Sequence, residues 1–493
     1  MMVRSAHTDR ANRRYVPLEI LCILIVLAVF CWFTLPRLAD APWNYYESWR
    51  QSDTYSIAVN FVQYGMHPLQ PQLNYDGVSD NFAQLELQII PYLSALVFQL
   101  TGSITPAVPR LFSLLFFGGS ALFLYGLMKR ISGIFPALAG LAVYLLMPLS
   151  LLTARAIQPE SCALFFYCGG VYFLYQYQQT ERPRFLWLAS SMTAVAIMEK
   201  TPVIFVGFLF LYVLISMFGK GCLRSPLFYG CGAVTLLPPL ALILYTSQHS
   251  TFRFVDGIAS KHIFSEEIFS FFTAKSLRFF YHAFTTYFGW SVIILTAIGF
   301  VLTLIQGHRF YLVWALAFGL ECILIVAVIQ FTYYLVFLLP ICAALISVAV
   351  QAIARWKPPL ALIACAAAIV LTVQVSRGLW WVTSVDPGID NAGQFIAANT
   401  DQEDGVAMGV MNPAYFNAAN RRGYRANILY YQDIPTGAEA ELAYFIEHDV
   451  KWFAVIDGAV YNDPDGTYLA YLKAHFPLAA AGTNCDLYNL QGN

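Results

Sequence analysis

Charge is what this 493-residue chain has least of. Asp, Glu, Lys and Arg make up 12% of it, about half the share of a soluble domain. That shortage excludes a soluble enzyme, a disordered chain and a free nucleic-acid binder. Neither sign of charge dominates: the formal net charge is −1, so no global field gathers polyanions. No CxxC pair and no Cys/His metal spacing occurs. Nine of the ten cysteines lie in apolar stretches and only Cys485 in a polar one, so they read as small buried side chains. A glycine-rich phosphate loop is missing too, so the sequence offers no nucleotide site. What abounds is apolar: 58% of residues are hydrophobic, 16% are aromatic, and mean hydropathy is +0.59. This is the composition of a polytopic α-helical membrane protein.

Arg4, Arg10, Arg13 and Arg14 precede an apolar run from about Val16 to Leu35. The run is long enough to span a bilayer and has no small-x-small cleavage site, so it reads as a retained first helix. Further runs near 107–128, 133–151, 160–176, 185–198, 201–218, 227–245, 287–306, 310–328, 332–351 and 358–376 bring the expected spans to eleven. Lys129/Arg130, Arg182/Arg184, Lys220/Arg224, Arg309 and Arg355/Lys357 fall on the same side as the N-terminal arginines. Cytoplasmic loops carry the Lys/Arg excess, which predicts a cytoplasmic N-terminus. Residues 36–106, 152–159, 199–200, 246–286, 329–331 and everything after 376 then lie outside. Residues 89–100 are apolar but too short to span, and read as an interfacial or re-entrant helix. After residue 376 the composition is that of a soluble domain. Strand-like GVAMGV and WFAVID flank a helical AEAELAYFIEH. The expected division is a membrane domain over 1–376 and a small extracytoplasmic α/β domain over 377–493.

The chemistry is expected in the first external segment, 36–106. From Gln51 to Pro109 there is no Lys or Arg, yet the segment holds Asp53, Asp76, Asp80 and Glu86, with Glu47 just before. Carboxylates beside apolar helices are costly unless they are used. In a partly dry cleft their pKa rises and they suit proton abstraction; alternatively they hold a divalent cation such as Mg or Mn. Residues 47–64 can form an amphipathic helix with Trp49, Ile57, Phe61 and Val62 to one side. Asp53 then lies on the polar flank, three residues from Arg50. The bland reading is a surface helix with a solvated Arg–Asp pair. Arg155, Lys200 and Arg253 stand on the outer side, against the charge trend, with Glu160 and Glu199 nearby. They read either as headgroup snorkelling or as a site for a lipid phosphate.

These motifs resemble a known family. WRQSDTYSIAVNF after the first span, NFAQLELQIIPYLSALVFQLTG, the PRLFSLLFF run, ARAIQPESCALFF, AIMEKTPVIFVGF and FTYYLVFLLPICA follow in the order seen in GT-C fold glycosyltransferases of the family 39 type. That family includes protein O-mannosyltransferases and the lipid A aminoarabinose transferase. The resemblance covers about residues 15–375. It implies an enzyme that takes a sugar from a polyprenyl-phosphate carrier on the external leaflet and passes it to a lipid, glycan or protein acceptor. It also implies an Asp of the first external loop as general base. Asp53 matches that acid, with Glu47 as the competing candidate, and Glu86 matches the second loop acid. Arg50, Arg155, Lys200, Arg253 and Glu160 are the expected carrier-phosphate contacts, together with Tyr333 and Tyr334 in FTYYLVFLLP. The rival is a transporter or flippase of lipid-linked sugars, which would use midplane charges and paired broken half-helices; here the charges sit at the external surface and no inverted repeat is visible. A bacterial inner membrane is the expected location.

Overall fold

A computed structural model describes residues 3–79, 81–251, 266–429 and 434–492. Asp80, Arg253 and Lys261 lie outside the described residues. In a bilayer the backbone must satisfy its own hydrogen bonds, so the apolar runs become helices. α1 (Val3–Thr34) leads into the first external segment, where α2 (Ser48–Tyr64) and α3 (Ile89–Thr101) form. Then come α4 (Ala107–Ser132), α5 (Ile134–Leu146), α6 (Pro148–Arg155), α7 (Glu160–Thr180), α8 (Pro183–Glu199), α9 (Gly207–Phe218) and α10 (Pro226–His249). α11 (Ala274–Tyr287), α12 (Trp290–Gln306), α13 (Arg309–Glu321), α14 (Ala327–Ile329), α15 (Leu339–Trp356) and α16 (Pro358–Gly378) complete the bundle.

Among the described residues, seven helices are long and apolar enough to cross a membrane. Nine spans result if α5–α6, bent by 61°, and α11–α12, bent by 107°, each count once. The sequence reading expected eleven. The two that fall short, α7 and α8, do form at the expected places. α7 begins at buried Glu160 and ends in tyrosines and glutamines, and its sides are covered by protein rather than lipid. α8 is only 17 residues long. The expected short helix at 89–100 is α3, 13 residues packed on α2.

Beyond α16 the chain forms α17 (Pro387–Asn399), β1 (Gly405–Met408), α18 (Ala414–Ala419), β2 (Gly423–Arg425), α19 (Ala438–Glu447), β3 (Val450–Ile456), α20 (Thr467–His475), β4 (Leu478–Ala481) and β5 (Cys485–Asn489). The sheet order is β2-β1-β3-β5-β4, with β1 parallel to β2 and β3, and β5 antiparallel to β3 and β4. One side of this sheet is closed by α19 and α20. The other shares a core with the first external segment: Ile57, Phe61, Leu73 and Tyr75 pack with Ile396, Val406, Met408, Phe416 and Leu487. Backbone bonds stitch the two, as Gly423 N–H donates to Asn74 O at 3.1 Å and Gly77 N–H to Gly423 O at 3.0 Å.

Candidate active site

α2 is covered on nearly every side, with Gln51 to Thr54 and Ser56 to Phe61 all buried. It is a bridge between bundle and sheet, which corrects the expectation of an amphipathic helix with a polar flank. Glu47 stands immediately before it with φ 52° and ψ 48°, a left-handed conformation that costs a side-chain-bearing residue energy and that clusters at functional sites. Arg50, one turn on, forms an ion pair with Glu86, not with Asp53 as the spacing suggested. The loop carrying Glu86 is fixed to the end of α8: Leu87 N–H donates to Met198 O at 2.9 Å, and Ile89 N–H to Glu199 Oε1 at 3.3 Å.

Lys200 follows α8 directly and joins the groups together. Its Nζ lies 2.7 Å from Glu160 Oε1 and 3.9 Å from Glu86 Oε1. It also sits 4.8 Å and 5.0 Å from the ring centres of Tyr333 and Tyr334, an arrangement in which the aromatic faces attract the ammonium. Glu47 Oε1 accepts from Thr332 Oγ1 at 3.3 Å. Burial and then the Glu160 charge push the Glu47 carboxyl up to about 7, against the pull of Thr332, Arg50 and Lys200. Seven side chains foreseen from the sequence thus converge: Glu47, Arg50, Glu86, Glu160, Lys200, Tyr333 and Tyr334. The arrangement offers two cations beside aromatic walls and a carboxylate balanced near neutrality.

Asp53 lies elsewhere, at the seam with the sheet. Tyr75 Oη–H donates to its Oδ2 at 2.8 Å, and Asn417 Nδ2–H to its Oδ1 at 2.8 Å. Burial raises this carboxyl to about 6, although both donors and the charges of Arg50 and Arg425 oppose the rise. Next to it, Arg425 grips Asp76 with Nε at 3.1 Å and Nη2 at 2.8 Å, and lies 4.7 Å from the Tyr75 ring centre. Arg155 is not part of the Lys200 cluster. Its Nη2 donates to Arg37 O at 3.2 Å and its guanidinium faces Trp380 at 5.1 Å. Trp380 lines an apolar cavity of about 350 Å³ with Trp32, Phe33, Pro36 and Arg377.

The divalent cation that the acidic loop suggested finds no site among the described residues. No group of three His, Cys, Asp or Glu side chains converges there. Glu160 and Glu86 are both turned to Lys200 Nζ. Thr332 and Asn417 escaped the sequence reading. Both are neutral, so charge did not mark them: Thr332, inside the FTYYLVFLLP motif, reaches Glu47, and Asn417 reaches Asp53 at the sheet seam.

Residues 88–245 match the family model of dolichyl-phosphate-mannose-protein mannosyltransferases. The matched stretch runs from α3 into α10 and holds Glu160 and Lys200. ArnT from Cupriavidus metallidurans bound to undecaprenyl phosphate superposes with a TM-score of 0.67 at 12% identity, covering 96% of this chain and 98% of that one. Its apo form gives 0.63 at 13%, covering 98% and 100%. The chain has the GT-C fold. Archaeal oligosaccharyltransferase AglB from Archaeoglobus fulgidus, in complex with an inhibitory peptide and a dolichol-phosphate, shares it with a TM-score of 0.63 at 9% identity, covering 89% of this chain and 69% of that one. A comparison with curated protein sequences finds no match. The GT-C fold and the family match agree with the resemblance read from the sequence motifs, and the chain is a multi-pass membrane protein.

Proposed function

We propose that this protein is a membrane glycosyltransferase that moves a sugar from a polyprenyl-phosphate carrier to an acceptor hydroxyl at the external face, with Glu47 as general base. The observation that carries this reading is the meeting of Glu47 with Lys200 and Arg50 beside Tyr333 and Tyr334. The relatives bound to undecaprenyl phosphate and dolichol-phosphate support the carrier class.

The chemistry follows from the groups present. Lys200 and Arg50 hold the carrier phosphate and stabilise the charge that gathers as it leaves, so no acid is needed there. Glu160 and Glu86 orient the two cations. The Glu47 carboxylate takes the acceptor proton while the acceptor oxygen bonds to the anomeric carbon. The bond from that carbon to the phosphate oxygen breaks, and its electron pair stays on the phosphate. The sugar passes through an oxocarbenium-like state, and one displacement inverts the anomeric centre. Asp53, with both oxygens engaged, holds α2 against the sheet. The N-terminus lies in the cytoplasm and the sheet outside, in a bacterial inner membrane.

Glu47 rather than Asp53 is assigned the proton because it is half-buried and reachable, whereas Asp53 is buried. Glu47→Gln keeps the shape and removes the acceptor, so turnover of purified enzyme on a polyprenyl-phosphate sugar is expected to fall by about 10²-fold or more. Asp53→Asn should lose stability before it loses turnover per folded molecule. Near-normal turnover in Glu47→Gln with loss in Asp53→Asn returns the role to Asp53. Normal turnover in both removes the first loop from the chemistry.

A further inference from the structure

At the far end of the bundle lies a polar cavity of about 290 Å³, with no carboxylate in its wall. Gln178 and Gln179 reach it from the end of α7, Tyr212 from α9, and His308 and Arg309 from the turn that opens α13. We propose that this cavity binds the phosphate of an anionic phospholipid headgroup in the membrane leaflet opposite the Lys200 cluster.

Four observations support the assignment. The first is position. Glu160 and Gln178 are 18 residues apart on the single helix α7, which is about 27 Å at the helical rise and close to the thickness of the hydrocarbon layer. Arg309 likewise opens the apolar stretch Arg309–Ile329, which puts it at headgroup level. The second is uncommitted charge. Lys129, on the same face, is tied to Glu19, and Arg130 stacks against Tyr172. Arg309 has no partner among the described residues, and His308 meets only the neutral Gln306 amide. The third is presentation: Gly307 at φ 71° makes the left-handed turn that brings His308 and Arg309 to the cavity. The fourth is the wall itself. Amide donors and tyrosines between membrane helices, with a basic residue at the rim, suit a phosphate and the glycerol beside it. The inference stands apart from the proposed transferase reaction, since no residue is shared.

The test uses the full chain in nanodiscs. Native mass spectrometry would count lipids retained against phosphatidylcholine as the neutral background, with phosphatidylglycerol added in steps. One phosphatidylglycerol is expected to bind at least about fivefold tighter than phosphatidylcholine. Arg309→Gln should abolish that preference and Arg309→Lys should keep much of it. Gln178→Ala/Gln179→Ala serves as a second variant should Arg309→Gln lower the unfolding temperature in phosphatidylcholine alone. Equal binding of the two lipids, or an unchanged preference in the folded variants, overturns the proposal. Displacement of phosphatidylglycerol by millimolar inorganic phosphate, with phosphate itself retained, would make the ligand a soluble anion and overturn the lipid assignment.

Discussion

At the scale of the residue, the site is a balance of charge inside a partly dry wall, and that balance has a pH signature. The Glu47 carboxyl sits up at about 7, so its acceptor form is lost as pH falls through neutrality. If Glu47 is the base, log kcat/KM should rise with unit slope from about pH 5.5 and level off above about 7.5. A flat profile across that window would remove Glu47 as the titrating base. The raised value has the opposite sign for stability. A carboxyl that is easier to protonate in the fold than in the unfolded chain favours the fold at low pH, and that contribution is lost as pH rises from the unfolded value towards about 7. The charged members of this site were legible in the sequence because a charge beside apolar runs needs a reason. Their pairing was not. Spacing suggested Arg50 with Asp53, but the loop held by Met198 and Glu199 delivers Glu86 to Arg50 instead.

At the scale of the element, hydropathy located every expected helix of the bundle, because a bilayer rewards long apolar runs whatever their order. It misjudged those whose neighbours are protein. α7 can afford Glu160 and Gln176, and α2 is buried nearly all round, since other elements replace lipid or water against them. Close approach is the other feature hidden from composition. A Cβ on Gly299 of α12 would lie 2.0 Å from Leu345 O of α15, so these helices touch backbone to backbone as small residues allow in membranes. Gly299→Ala should therefore push α12 and α15 apart and cost roughly 1–3 kcal/mol, the usual scale of overpacking. Gly232→Ala on α10, with nothing within 4 Å of the added carbon, is the control. Comparison of unfolding temperatures in detergent settles it: equal values for the two variants would mean that α12 and α15 do not pack as described.

At the scale of the whole molecule, the tail reads as a small α/β domain because its composition is soluble and its strands alternate with helices. The fold joins it closely to the rest. Ile57, Phe61, Leu73 and Tyr75 supply part of the core on which one face of the sheet rests. Asn412 Nδ2 donates to Ser48 Oγ at 3.0 Å, Asn417 reaches Asp53, and buried Arg425 neutralises buried Asp76. None of this could be read from local pattern, because each contact joins residues more than 300 positions apart. The consequence is testable. Residues 379–492 made alone keep α19 and α20 on one side of the sheet and α17 and α18 on the other, but that second core loses Ile57, Phe61, Leu73 and Tyr75 and is left partly uncovered. The cut also removes Trp49, Tyr75 and Asp76 from around Arg425, which loses its ion pair and two ring contacts. The fragment should bind an apolar dye and give a broad, weakly cooperative thermal transition, while the intact chain melts sheet and first loop together. The matched variant in the intact chain is Arg425→Met, which should raise amide exchange both in residues 74–77 and in β2. A fragment that unfolds sharply and excludes the dye, with exchange in the variant confined to β2, would mean that the sheet folds by itself and that the shared core is incidental.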